Sequence, residues 1–445
     1  MAKKVEFYRE TEFKDTEIGR IPEEWEVKKI REISELSRGL SYRGQEKFAE
    51  EVLGGYLFLT LNSIKEGGGL KEDGWSWIRT DRLRERHFVR EGDIVIANTD
   101  IGMQRGHILG APALIYFPSW YRKDRAVYSM DLSKLQLKSN LHHKFLFYYL
   151  SYVQPIARKY HTGTNVWHLN LDAWSNELSI SLPPLEEQQK IAEILSTFDE
   201  AIQKTNDIIA KTERLKKGLM QELLTKGIGH KEFKDTEIGK IPKEWEVVSL
   251  EDASLTIRTG PFGSQLKKSE LSESGIKVYT QDNVLKNDFS LGNLYISYDK
   301  FKKLKNMEIK PGDVLLTIRG SIGYSAVFPE GAEKGIIHSN LAYIRVKAGS
   351  LSPKYLSLLI NYYFSIKPQL ITLSSATTLD ALYAKNVKKI KIPLPPLHEQ
   401  QKNIEILSTI DKKLETLKQE KVKLERIKQW FMEELLSGRI RVRVA

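Results

Sequence analysis

The sequence predicts an α+β protein, in which two mixed α/β blocks are separated by two long helices that form an antiparallel coiled coil. Three observations predict this class. A segment near the start recurs 220 residues later, a second repeated segment opens a long stretch without proline, and the two blocks between the repeats differ. A long internal period of this kind predicts two copies of one structural unit related by a pseudo-two-fold axis.

The first repeated segment is "EFKDTEIGRIPEEWEV" at residues 12–27, which returns as "EFKDTEIGKIPKEWEV" at 232–247. Over residues 12–30 and 232–250, 14 of 19 positions are identical. Trp25 and Trp245 stand among acidic residues, which disfavour contact with phosphate. We therefore interpret both tryptophans as core residues that fix each block to the helices.

The second repeated segment is "LPPLEEQQKIAEILST" at 182–197, which returns as "LPPLHEQQKNIEILST" at 394–409, with 13 of 16 positions identical. Two prolines followed by acidic residues are typical of a helix start. Glu187 and Glu399 could favour the helix dipole, contact the other helix or contact a partner protein. The sequence leaves these alternatives open.

Hydrophobic and small residues recur in both long stretches at alternating steps of three and four, which predicts a coiled-coil seam. Lysines within the seam weaken it and favour a specific pairing. The predicted seam positions are Leu195, Phe198, Ile202, Thr205, Ile209, Thr212, Lys216, Leu219 and Leu223, and then Leu407, Ile410, Leu414, Leu417, Lys421, Leu424, Lys428, Phe431 and Leu435.

The two blocks share a skeleton in spite of their different sequences. "REGDIVIANTDIG" at 90–102 corresponds to "KPGDVLLTIRGSIG" at 310–323, and "TLNSI" at 60–64 to "TQDNV" at 280–284. Short β-branched runs separated by Gly, Asp and Asn, followed by an apolar helix, favour mixed α/β structure. The predicted segments are a first domain at 1–181, a central helix at 182–226, a second domain with its linker at 227–393 and a C-terminal helix at 394–445.

Composition narrows the class of partner. A net charge of +11 and a pI near 9.3 favour an acidic partner such as nucleic acid. The absence of cysteine excludes disulfides and thiolate metal sites. The first residues have no apolar core, so we expect no signal peptide, no membrane segment and a cytoplasmic protein. There is no phosphate-binding glycine loop followed by Lys-Ser/Thr and no close set of metal ligands.

The order "G-x-IP-x-EWE", variable block, "LPPLxEQQ" and long helix, followed by the same order again, resembles the specificity subunit of type I restriction–modification enzymes. The resemblance covers nearly the whole chain. It implies that each block is a target-recognition domain that reads one half of a split sequence in double-stranded DNA. It also implies that the helices act as a spacer and bind methyltransferase subunits, two of them, which in turn bring in restriction subunits.

The resemblance further implies that this chain is not itself an enzyme and holds no cofactor. S-adenosylmethionine, ATP and Mg would belong to the partner subunits. One alternative is a monomeric, internally duplicated DNA endonuclease, which would need matched acidic residues in the two copies. Another is a coiled-coil scaffold, which leaves the two unlike blocks without a reason.

We expect DNA contacts from polar, aromatic and basic residues on loops of the blocks, because Arg pairs with guanine and Asn with adenine in the major groove. The basic runs at 79–87 and 300–305 are predicted to follow phosphates or to be solvated. The candidates in the first block are Arg38, Tyr42, Arg43, Asn62, Ser63, Arg105, Thr164, Asn165, Trp167 and His168. Those in the second block are Arg258, Ser264, Gln265, Lys267, Thr280, Gln281, Asn283, Arg319, Ser321, Thr377 and Thr378.

Overall fold

The structure is a computed structural model that describes residues 5–71, 73–101, 107–138, 140–375 and 382–444. The chain divides into two compact units. The first unit consists of residues 1–206 and 419–445, and the second of residues 207–418. Each long helix contributes one half to each unit, so neither helix is a domain by itself.

The strands of the first half are short and follow one another closely. In chain order they are β1 Val5–Arg9, β2 Phe13–Thr16, β3 Gly19–Pro22, β4 Glu26–Lys29, β5 Ser34–Arg38, β6 Lys47–Phe48, β7 Tyr56–Leu59, β8 Ser76–Ile78, β9 Phe88–Val89, β10 Ile94–Ala97, β11 Thr99–Asp100, β12 Pro112–Leu114, β13 Ala126–Tyr128, β14 Leu132–Leu137, β15 His161–Thr162, β16 Trp167–Leu169 and β17 Ser179–Leu182.

The strands of the second half repeat much of this order. They are β18 Phe233–Thr236, β19 Gly239–Pro242, β20 Glu246–Ser249, β21 Ser254–Thr259, β22 Leu271–Ser272, β23 Ile276–Tyr279, β24 Tyr295–Ile296, β25 Val314–Thr317, β26 Ser325–Val327, β27 Gly335–Ile337, β28 Leu341–Val346, β29 Lys391–Leu394 and β30 Ile440–Val444.

Two of the α-helices are far longer than the others and are the helices predicted after the Pro-Pro segments. The helices are α1 Ile30–Ile33, α2 His143–Val153, α3 Leu171–Glu177, α4 Leu185–Thr225, α5 Leu250–Ala253, α6 Gln281–Leu285, α7 Tyr298–Lys303, α8 Pro353–Tyr362, α9 Ile366–Ser375, α10 Ala384–Val387 and α11 Leu397–Leu436. The apolar helices predicted near residues 143–153 and 353–364 are α2 and α8.

Both units contain the same pair of sheets. The antiparallel sheet has the order β12-β10-β14-β5 in the first unit and β26-β25-β28-β21 in the second. The other sheet contains a parallel pair, β7 with β13 in the first unit and β23 with β27 in the second. The first unit adds a three-stranded sheet, β11-β16-β15. The structure therefore confirms the α+β class and its internal repeat.

The two repeated sequence segments are sheet partners. Strand β4, which follows Trp25, pairs antiparallel with β17, which precedes α4, and Glu26 lies opposite Leu182. Strand β20 pairs in the same way with β29, and Glu246 lies opposite Leu394. Each block is thus closed at its base by the segments that enter and leave it, which explains why both segments occur twice.

The long helices pair antiparallel within each unit. In the first unit, Asp199 of α4 binds Lys428 of α11 at 2.6 Å and Phe198 packs on Phe431. In the second unit, Lys216 of α4 binds Asp411 of α11 at 2.5 Å. Lys428 and Asp411 stand 212 residues after Lys216 and Asp199, so the two ion pairs are repeat-related. All eighteen predicted seam residues are buried or half-buried, which agrees with the predicted coiled coil.

One element lies outside the sequence prediction. The chain after α11 forms strand β30, which pairs antiparallel with β1, with Val5 opposite Val444 and Arg9 opposite Ile440. The predicted C-terminal segment at 394–445 is therefore a helix followed by a strand. The four predicted segment boundaries otherwise stay predictions.

Candidate nucleic-acid interface

Each block is fixed to its helix by a buried glutamate. Trp25 Nε1 donates a hydrogen bond to Glu187 at 3.2 Å, and Trp245 Nε1 donates one to Glu399 at 2.9 Å. Both indoles are completely buried. The tryptophans are thus core residues, as predicted, and the glutamates at the helix starts contact the block of their own unit.

The two buried glutamates are neutralised differently. Arg441 of β30 binds Glu187 through Nε at 2.9 Å and Nη2 at 2.8 Å. His230, in the chain after α4, places Nε2 3.0 Å from Glu399. Burial acts to lower the pKa of Arg441, but its bonds to Glu187, Glu10 and Glu24 raise that pKa on balance. We call Trp25, Glu187 and Arg441 the first junction, and Trp245, Glu399 and His230 the second.

The glutamine after each glutamate is also structural. Gln188 Nε2 donates to the carbonyl of Pro183, and Gln400 Nε2 donates to that of Pro395, both at 2.9 Å. Gln188 Oε1 accepts from the backbone of His142 at the start of α2, which corresponds to α8 in the second unit. The repeated Glu-Gln pairs therefore hold the base of each block.

Hydrogen bonds at the ends of β10 and β25 identify equivalent residues in the two blocks. The amide of Asn98 donates to the carbonyl of Asp131 at 2.8 Å, and the amide of Ile318 to that of Asn340 at 2.9 Å. The next residues, Thr99 and Arg319, are therefore equivalent. This position is the first place where the two blocks share a backbone but carry side chains of different charge.

Two predicted DNA contacts are used within the fold. Ser63 Oγ accepts from the amide of Thr60 at 3.0 Å, and Asn283 Oδ1 accepts from the amide of Thr280 at 2.9 Å. Asn283 also donates to the carbonyls of Asp288 and Leu291. Both side chains are almost fully buried, so the hydrogen-bond geometry argues against a DNA contact for either. Their exposed neighbour Asn62 stays a candidate.

Arg38 and Arg258 lie on the edge strands β5 and β21 and are both exposed. Arg38 lies opposite Ser133 on β14, whereas Arg258 lies opposite Tyr343 on β28. The register of β21 shifts between Ser254 and Thr256. Because one extra residue reverses the facing of the side chains that follow it, the 220-residue offset does not place these two arginines at equivalent positions.

The first unit carries an exposed hairpin, β15–β16. Its tip, residues 163–166, is exposed and contains the candidates Thr164 and Asn165. At its base the rings of His161 and Trp167 are stacked with centroids 4.0 Å apart. Thr99 Oγ1 lies 3.3 Å from His168 Nδ1. The hairpin is therefore held rigidly, and Thr162 and His168 line a groove together with the cationic residues Arg31, Arg38 and Lys138.

The other candidates fall into three groups. Arg43, Ser264, Gln265, Lys267 and Ser321 are exposed on loops, and Tyr42 is half-buried against Phe58 with a pKa raised by burial and by Asp131. Thr280, Gln281 and Arg319 are half-buried in one region of the second unit. Arg105, Thr377 and Thr378 lie outside the described residues.

Much of the charge in the two basic runs is paired internally. Arg82 binds Glu46, whose pKa falls to about 2 through the hydrogen bond from Arg82 and one from the backbone of Arg43. In the second unit, Lys305 binds Glu308 at 2.8 Å. These pairs reduce the cationic surface that either run offers to phosphate.

The sequence analysis missed Asp131 and Asn340. Neither belongs to a recognisable motif, and each comes next to Thr99 or Arg319 only through strand pairing. Within the described residues, no group of three or more His, Cys, Asp or Glu side chains could hold a metal ion. No helix in the described ranges is long and apolar enough to cross a membrane.

Comparison with known proteins places this architecture in a family. The family model "Type I restriction modification DNA specificity domain" matches residues 22–214 and 242–426. The MjaVIII specificity subunit of a type I restriction enzyme from Methanocaldococcus jannaschii is 31% identical, with 99% of this chain and 98% of the relative covered. The putative MjaX specificity subunit from the same organism is 31% identical over 99% of both chains.

Solved structures agree on the fold. A chain from a study of complex assembly and conformational transition of the type I R-M system covers 94% of this chain with a TM-score of 0.57 at 18% identity. The HsdS subunit from Thermoanaerobacter tengcongensis covers 96% with a TM-score of 0.50 at 19% identity. With two domain matches and relatives covered over their full length, this chain belongs to the family of type I restriction–modification DNA specificity subunits.

Proposed function

We propose that this chain reads a two-part DNA sequence, with one half-site recognised by each unit, for a type I restriction–modification complex. As a specificity subunit it is a recognition component and not itself an enzyme. The observation that carries the proposal is the same two-sheet scaffold in both units with different side chains at equivalent positions, such as Thr99 and Arg319. Equal scaffolds with unlike surfaces suit two unlike half-sites.

The long helices would set the gap between the half-sites. Their seam is fixed by the repeat-related pairs Asp199–Lys428 and Lys216–Asp411. Deleting one heptad from both helices should then change the number of base pairs in the gap and leave both half-sites as they are. A change in the half-sites themselves would contradict the modular reading.

The partners are proposed to be two methyltransferase subunits and, through them, restriction subunits. Apolar residues exposed at repeat-related positions support two equal docking sites. Leu215 on α4 is 56% exposed, and Ile427 on α11, 212 residues later, is 46% exposed. S-adenosylmethionine, ATP and Mg would be bound by these partners, and the adenine to be methylated would be flipped out of the duplex into the methyltransferase.

Co-expression with the methyltransferase subunit, followed by mapping of methylated adenines, tests the proposal. The expected result is a split motif with a gap of fixed length. Leu215→Glu combined with Ile427→Glu should abolish methylation, whereas DNA binding by the purified chain stays unchanged. The comparisons give no support to the alternative of an internally duplicated endonuclease. Cleavage of DNA by the purified chain alone with magnesium would revive that alternative and contradict the proposal.

A further inference from the structure

Three buried polar atoms in the second unit have no hydrogen-bond partner among the described residues. They are Gln281 Oε1, Arg319 Nε and Asn340 Oδ1. Buried polar groups in folded proteins are nearly always paired, so an unpaired one needs an explanation. Each of the three side chains is partly exposed as a whole. A small side-chain rotation would therefore bring its unpaired atom to the surface.

The three residues converge on the end of strand β25. The carbonyl of Asn340 accepts from the amide of Ile318, which directly precedes Arg319. Gln281 lies beside Gly320, where a Cβ would come 3.5 Å from Gln281 Oε1. The residues come from three separate segments of the chain, and only the fold brings them together.

The arginine is held in place by an aromatic ring. Its guanidinium carbon lies 4.3 Å from the centroid of the Phe262 ring, and Phe262 packs against Tyr383 with centroids 6.0 Å apart. Stacking on an aromatic face fixes the plane of a guanidinium and hence the direction of its N–H groups. Phe262 belongs to the glycine loop at 260–267, which the sequence analysis had singled out.

The equivalent position in the first unit carries different groups. Thr60 and Thr280 each precede a cap residue, Ser63 and Asn283, so Leu61 is equivalent to Gln281. Thr99 takes the place of Arg319 and Asp131 that of Asn340. Thr99 Oγ1 donates to Asp131 Oδ1 at 3.3 Å, and the unpaired atom there is Asn98 Oδ1. Both units thus leave polar atoms unpaired at this place, but with different donors and acceptors.

The unpaired set in the second unit consists of one donor and two acceptors. A phosphate offers acceptors only, so it would pair with Arg319 and leave both amide oxygens without a partner. The major-groove edge of a base pair offers acceptors and amino donors together. The chemistry of the three atoms therefore favours a base edge over the DNA backbone.

We propose that Gln281, Arg319 and Asn340 determine the base specificity of the second unit. Arg319 donates to the acceptors of a purine, and the amide oxygens of Gln281 and Asn340 accept from the exocyclic amino group of adenine or cytosine. This inference rests on the proposed function, in which the second unit reads one half-site.

The test is selection of bound duplexes from a random library by the purified full-length chain, followed by sequencing. The variants are Gln281→Leu and Asn340→Asp, which introduce the residues of the first unit, and Arg319→Lys, which keeps the charge but loses the planar fork. Each variant should lose about 10- to 100-fold of its discrimination at one or two base pairs of one half-site. The other half-site should stay unchanged and serves as an internal control.

Lys302→Ala is the matched control, because it removes an exposed cation of the same unit that pairs with Asp299. It should leave both half-sites unchanged. Thermal unfolding of each variant verifies folding, and Gln281→Met replaces Gln281→Leu if that variant does not fold.

Two results would overturn the inference and leave the proposed function intact. One is a split motif that none of the three variants alters. The other is wild-type discrimination by Arg319→Lys, which would make Arg319 a phosphate contact. If the wild-type chain selects no split motif, alone or with its methyltransferase subunits, the proposed function itself fails.

Discussion

The indole of Trp245 donates a hydrogen bond to the buried carboxylate of Glu399 at 2.9 Å, and Trp25 makes the same bond to Glu187. The two most similar segments of the sequence therefore contact each other in each unit, one at the base of a block and one at a helix start. Identity between the copies is concentrated where block and helix are joined, whereas the surfaces that would read DNA differ.

Trp245→Phe should lower the free energy of unfolding by about 2–3 kcal/mol, because it removes a hydrogen bond to a buried charged group. Urea unfolding followed by circular dichroism measures the loss. Trp430→Phe is the control, since Trp430 is 47% exposed, and it should change stability by less than about 0.5 kcal/mol. Equal losses for both variants would contradict the role assigned to the second junction.

Arg441→Met should destabilise the first unit by about 3–5 kcal/mol, because it leaves the buried carboxylate of Glu187 without its cation. Adding Glu187→Gln should restore part of that loss, since the buried charge is then removed as well. A double-mutant cycle in urea gives the coupling energy. If the losses of the two single variants simply add, the two side chains do not interact as the structure indicates.

Exchange of the charges in the Lys216–Asp411 pair tests the pairing of the helices. Lys216→Asp alone places two carboxylates opposite each other and should cost about 1 kcal/mol or more. The double variant with Asp411→Lys should recover most of this cost, because the pair is partly exposed and worth at most about 1 kcal/mol. The equivalent exchange at Asp199 and Lys428 should behave alike. Failure of the double variant to recover stability would argue against this register.

Asn283→Ala should lower stability by about 1–3 kcal/mol, because the amide of Thr280 and two carbonyls lose their buried partner. It should not change which base pairs the chain selects. The sequences selected from a random library, compared with those of the wild type, decide the point. A changed half-site would return Asn283 to the set of DNA contacts.

Sequence alone predicted what depends on local pattern. The seam lysines and hydrophobic residues follow a heptad period, and the Pro-Pro segments give the starts of α4 and α11. Strand β30 was not predicted, because five alternating residues after a helix give little signal without their partner β1. The shift in β21 at Ser254 and Thr256 was also invisible, and it breaks the equivalence of Arg38 and Arg258 that the repeat suggests.

The candidate interface was predictable only in part. Loop position and residue type selected Arg319 and Gln281, but the same criteria selected Ser63 and Asn283, which the fold uses as buried caps. Asn340 lacked any motif and came into view through its backbone bond to Ile318. Base-reading residues depend on which segments the sheets bring together, and that information is not local.

The division of the first unit into residues 1–206 and 419–445 has a consequence for synthesis on the ribosome. The second unit, residues 207–418, is continuous and can fold as it emerges. The first block must wait for β30 and the last turns of α11, while the intervening 212 residues are made. At about 5–20 residues per second this wait lasts roughly 10–40 s. During that interval the start of α4 and the socket for Arg441 remain uncovered, which makes the first block the part of the nascent chain most in need of protection by chaperones.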